Sequence, residues 1–144
     1  MEVSEEQCMK FPAVLREKLR KKEIIFPDSV QFHYDKIKVY RAVTRGKNDF
    51  KEISRNDFRS YYELGKKARG VKDPEKDPHY YGVSFFLDRK CVEQQLHFPR
   101  PNKKLSCGYV NEEGGPQETN IQTQHVCWWL FEDADVSGFS ILED

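Results

Sequence analysis

One arginine stands where chemistry would need a charge held away from water. Arg41 lies in Ile37-Lys38-Val39-Tyr40-Arg41-Ala42-Val43-Thr44-Arg45, whose alternation predicts a half-buried strand with Ile37, Val39, Arg41 and Val43 on one face. A guanidinium among aliphatic side chains loses much of its hydration energy unless an anion meets its planar fork of donors. The position therefore implies a carboxylate partner or a bound phosphate-like group. The competing reading is that the strand frays here and the long side chain reaches solvent.

Other groups capable of chemistry are scattered. His33, His79, His97 and His125 fall on different elements, and pairing any of them with Cys91, Cys107 or Cys127 as a nucleophile would need a proximity that spacing does not supply. Cys8 and the other three cysteines form no Cys-x-x-Cys pair, and no histidine sits at zinc-finger spacing, so reduced thiols and no metal are expected. Gly114-Gly115 lacks the lysine and helix of a phosphate-binding loop. Glu132, Asp133 and Asp135 read as a solvated edge rather than a cation site.

The elements that position these groups must come from one domain of 144 residues, long enough to bury a core without staples. We divide it into an N-terminal helical segment (1–30), a core (36–132) and, within that core, an exposed loop (66–78). Twenty-four basic residues balance twenty-four acidic ones, which gives no bulk reason to bind nucleic acid or an anionic membrane. The acidic start of the chain has no apolar h-region and no run approaches the ~18 apolar residues of a membrane span, so a cytoplasmic protein is expected. An aromatic content of 13% argues for a folded core rather than disorder.

Periodicity predicts a helix over 4–22 with Phe11, Val14, Leu15 and Leu19 on its apolar stripe, broken or restarted at Pro12. Its basic run, Arg16 to Lys22, reads as a solvated face. Ser54 and Asp57 form an S-x-x-D capping box that predicts a helix closed by Gly65. A second strand is expected over 80–87, then a helix capped by Asp88 and ended by Pro99. A third strand covers 104–110, and a fourth 125–131, with Trp128 and Trp129 facing opposite sides. The fold class is α+β, a mixed or split sheet flanked by short helices.

Three segments in order resemble the cholera- and pertussis-toxin branch of the ADP-ribosyltransferases, over about 37–131. The segment Val39-Tyr40-Arg41-Ala42-Val43-Thr44-Arg45 looks like the family's first strand, where an aromatic residue precedes the arginine that holds the dinucleotide. Tyr81-Gly82-Val83-Ser84-Phe85 is similar to its serine-rich core strand, and Gln117-Glu118-Thr119 to the turn that carries the catalytic glutamate. The resemblance implies NAD as substrate, with no metal. Arg41 would grip the pyrophosphate, Ser84 would orient the ribose or pocket wall, and Tyr81 would stack on the nicotinamide. Glu118 would offset the positive charge that develops as the nicotinamide–ribose bond breaks.

The chain also departs from that pattern. Where the family has Ser-Thr-Ser, only Ser84 is present, with Gly82 and Phe86 at the other places, and Pro116 stands two residues before Glu118 in place of a second glutamate. A non-arginine acceptor or plain NAD hydrolysis follows from the resemblance. The alternative is a binding or inhibitor module without turnover, which recognises a protein or a nucleotide-derived ligand and uses an outward Trp128 or Trp129 as its anchor. A third reading is nucleic-acid binding through Lys66-Lys67-Ala68-Arg69 with Tyr61 and Tyr62.

Overall fold

A computed structural model describes residues 1–66, 70, 72–98 and 100–142. Its centre is a six-stranded sheet, formed by β1 (Ile37–Thr44), β2 (Val83–Phe86), β3 (Lys103–Val110), β4 (Gln117–Asn120), β5 (His125–Trp128) and β6 (Ser140–Ile141) in the order β4-β5-β2-β1-β3-β6. Every pairing is antiparallel, which corrects the expectation of a mixed sheet. The helices α1 (Glu5–Cys8), α2 (Ala13–Arg20), α3 (Tyr61–Leu64) and α4 (Arg89–Gln95) are all short. No described helix is long and apolar enough to cross a membrane.

The pleat sorts two cores onto the two faces of the sheet. Val126 and Trp128 of β5 share one face with Val83, Phe85, Val39 and Val110, and Phe58 and Phe139 close over them. Cys127 and the following Trp129 point the other way, where the N-terminal segment supplies Phe11, Leu15, Leu19, Ile24 and Phe26. Both tryptophans are 0% exposed, so they do face opposite sides, but neither is available as an anchor for a partner. The last ten described residues are more than an acidic edge: Val136 and Phe139 are buried, and β6 adds to the sheet. Glu132, Asp133 and Asp135 themselves are exposed.

Local chemistry explains where the helices stop. Pro12 is the N-cap of α2, so the N-terminal helix is two pieces, with Phe11, Leu15 and Leu19 buried and Val14 exposed. The helix expected from Ser54 also divides. Arg55–Asp57 makes one 3-10 turn, Phe58 leaves helical geometry to enter the core at 0% exposure, and Ser60 then caps α3 afresh by accepting from the Glu63 N–H. Gly65 closes α3 in the left-handed region at φ 67°, as a C-terminal glycine does. Asp88 caps α4, which gives way at Leu96; Pro99, expected to end it, lies outside the described residues.

The sheet is not equally knit. Strands β1 and β3 pair over eight residues and β2 and β5 over four, whereas β1 and β2 meet only at Tyr40 opposite Phe86. Beyond that pair the strands part, and the side chain of Arg41 enters the gap.

Candidate functional site

Arg41 takes the place of the missing rungs. Its NH1 donates to the Ser84 carbonyl at 2.7 Å and its Nε to the Asp57 carbonyl at 3.2 Å, while its guanidinium lies over the rings of Phe58 and Phe85 at 5.9 and 5.6 Å. It makes no ion pair among the described residues. Burial lowers its pKa to about 10, against the attraction of Asp57, so it remains cationic at neutral pH. The carboxylate that the sequence suggested for Arg41 belongs instead to Arg45. The Asp57 oxygens accept from Arg45 NH1 and NH2 at 2.7 and 2.8 Å in a two-pronged pair, both side chains nearly covered.

Arg41 lines a cavity of about 790 Å³, within the range of small-molecule sites, that opens where β1 and β2 separate. Arg41, Arg59, Lys66, Arg100 and Lys103 all reach its wall, and the only acidic side chain there among the described residues is Asp57, already held by Arg45. Burial lowers the pKa of Lys103, and the charges of Lys66, Arg41 and Arg100 push it further down. These cations are close enough to repel one another. A chain of zero net charge has therefore gathered an excess of positive charge in one hollow.

Ser84, His125, His79, Gly82 and Cys127 form another part of the same wall. The ladders place them: Ser84 opposes Cys127, which opposes Glu118, so the three side chains share one face of β2, β5 and β4. Ser84 Oγ is hydrogen-bonded to His125 Nε2. Gly82 is required by close approach, because a Cβ there would collide with the Cys127 sulfur and touch the Trp129 ring. Burial holds the Cys127 thiol protonated.

A chain of four side chains runs behind this wall, with His79 as its member on the cavity. His79 is bound through Nδ1 to Asp77 at 3.0 Å and through Nε2 to Glu118 at 2.6 Å, and the second Glu118 oxygen accepts from Ser29 Oγ. Burial works against the charge on both His79 and Glu118. Their mutual hydrogen bond, with Asp77 and Ser29 adding to it, outweighs that cost, raising the His79 pKa and lowering that of Glu118. His125 shifts the opposite way: burial first, then the charge on His79, favour its neutral form, with Glu118 opposing.

Of the residues expected to act, Arg41 and Ser84 are brought together on the cavity wall. Glu118 is not on that wall but directly behind it, in contact through His79. Tyr81 is a correction: its ring is 7% exposed in the core beside Tyr62 and Tyr80, its hydroxyl donates to the Glu75 carbonyl, and it borders a separate small apolar pocket. Glu118 is also not in a turn but in the edge strand β4. His79 and His125 were missed as site residues because they lie 46 positions apart, one in the 3-10 turn before β2 and the other at the start of β5, and only the fold brings them to one wall. The basic stretch near Lys66 is only partly described, since residues 67–69 lie outside the described set; Tyr61 and Tyr62 are exposed beside it.

Among the described residues, no group of three His, Cys, Asp or Glu side chains is arranged to hold a metal ion. No protein-family model matches the chain, and neither curated proteins nor solved structures give a match.

Proposed function

We propose that the chain has an ADP-ribosyltransferase-like fold, binds a dinucleotide of the NAD type in this cavity and cleaves its nicotinamide–ribose bond, as an NAD glycohydrolase or as a transferase whose acceptor is not arginine. The observation that carries the reading is the charge pattern of the wall. The five cations of the wall suit a pyrophosphate, which Arg41 meets through NH2, since its Nε and NH1 already donate to carbonyl oxygens. Behind the wall, Asp77 and Glu118 hold two carboxylates on either side of His79, negative charge suited to the cationic nicotinamide ring and to the oxocarbenium-like state that follows. Ser84 lies between these features and orients the ribose.

One observation favours a second reading, a binding module without turnover. Both oxygens of Glu118 are occupied, one by His79 and one by Ser29, so the carboxylate must exchange a partner before it can touch a ribose hydroxyl.

Incubation with NAD labelled in the nicotinamide separates the readings. The wild-type chain is expected to bind NAD, to lose it to excess inorganic pyrophosphate, and to release free nicotinamide. Glu118→Gln should abolish release with the fold retained, and Arg41→Lys should weaken binding by about tenfold, equivalent to about 1.4 kcal/mol. Binding without release supports the module. Absence of NAD binding, or unchanged release by Glu118→Gln, overturns the proposal.

A further inference from the structure

Several hydroxyl and thiol groups border the cavity, and they differ in how ready they are to react. Thr44 Oγ1 accepts from the Lys103 ammonium at 2.9 Å, which draws electron density away from it. The Cys127 thiol is buried and protonated, so it is a poor nucleophile. Ser84 is exposed on the cavity wall, and its Oγ is bonded to an imidazole nitrogen. His125 is fixed as the first residue of β5, opposite Asn120 on one side and Phe86 on the other, with its ring edge-on to Phe86 at 5.7 Å. The backbone of Ser84 is held in turn by Arg41, through the 2.7 Å bond to its carbonyl. A nucleophile, a base and the cation that would hold a pyrophosphate thus come from three consecutive strands, Ser84 on β2, His125 on β5 and Arg41 on β1.

We infer that Ser84 Oγ is itself an acceptor of the ADP-ribosyl group in this cavity, with His125 Nε2 taking its proton. The inference rests on the NAD-cleavage reading above and names the acceptor within it. In the step, the bond between the ribose anomeric carbon and the nicotinamide nitrogen breaks, its electron pair neutralises the ring, and nicotinamide leaves uncharged. A new bond forms from Ser84 Oγ to the anomeric carbon, and the serine proton passes to His125 and then to water. No further reactant is needed. Burial and the neighbouring charge of His79, which keep His125 neutral, suit it to receive that proton.

The test follows two channels on the full chain incubated with NAD: nicotinamide release by chromatography, and peptide mapping by mass spectrometry. The expected result is an ADP-ribose adduct on the Ser84 peptide. Ser84→Ala should lose the adduct entirely and, because Ser84 also orients the ribose, should release nicotinamide to water more slowly than the wild type; Ser84→Thr should restore the adduct, and His125→Gln should slow its formation by about 100-fold while NAD binding persists. Thermal melts of the variants establish that they are folded. Nicotinamide release with the Ser84 peptide unmodified overturns this inference and leaves the cleavage reading standing. No release from the wild-type chain overturns both.

Discussion

At the scale of single residues, Asp57 is the most heavily used side chain near the cavity. Its carboxylate holds Arg45 with two bonds and accepts from the Ser54 N–H at 2.9 Å, and its carbonyl receives Arg41. Asp57→Ala would leave the Arg45 guanidinium, 6% exposed, without a counter-charge. The expected loss is about 3–5 kcal/mol, read from urea unfolding, while the bond from Arg41 to the backbone carbonyl at this position needs no aspartate side chain. Burial opposes the Asp57 charge, yet Arg45 and Ser54 outweigh it and set the pKa below the ordinary value of 3.8. A depressed carboxylate stabilises the fold above its unfolded pKa and loses that contribution as pH falls through the folded one. Wild-type stability should therefore fall steeply below pH 3.8, and Asp57→Asn should flatten that part of the curve.

The same residues mark what could be read in the sequence. Alternation placed Arg41 correctly among Val39 and Val43, and the need for anions around a covered guanidinium was sound. It was met differently: carbonyl oxygens and two aromatic rings surround Arg41, and the carboxylate went to Arg45, four residues further on the same face. The S-x-x-D pattern likewise identified an Asp57 that does bind the Ser54 backbone. It could not reveal that the carboxylate was shared with Arg45, which follows the end of β1.

At the scale of elements, the short α3 decides part of the cavity wall, since Tyr61 and Leu64 both line it. Four residues cannot hold a helix by propensity. The Ser60 and Glu63 capping box starts it and Gly65 ends it. Ser60→Ala is expected to cost about 0.5–2 kcal/mol in chemical denaturation and to weaken ligand binding, with the sheet unaffected. Elements with apolar alternation, β1, β2, β3 and β5, were legible, as were Pro12 as a break and Asp88 as a cap. The edge strand β4 was not. Its four residues are all polar, and the buried one, Gln117, satisfies its amide with the Gln31 side chain, so no hydrophobic signal existed to distinguish strand from turn. Strand β6 has two residues, too few for any alternation, and pairs with β3 beside the buried Phe139.

At the scale of the whole molecule, equal numbers of acidic and basic residues concealed a strongly uneven distribution. Composition excluded a bulk field, but it could not report that five cations border one hollow while the carboxylates lie elsewhere or are already paired. The convergence of Ser84, His125 and Glu118 is also a property of the assembled sheet, created by the ladders that bring β2, β5 and β4 side by side, and the 3-10 turn before β2 adds His79 to it.

The placement of the two indoles gives this molecule an optical use. Trp129 lies 5.7 Å from the His79 ring and donates to the Pro78 carbonyl, whereas Trp128 is sealed on the reverse side beside Phe139 and donates to the Gly115 carbonyl. In Trp128→Phe, the remaining fluorescence should change when NAD is added. In Trp129→Phe, emission should stay constant through the same titration and shift only on denaturation. Two neighbouring residues thus act as separate reporters, one of ligand occupancy and one of unfolding, with no dye attached.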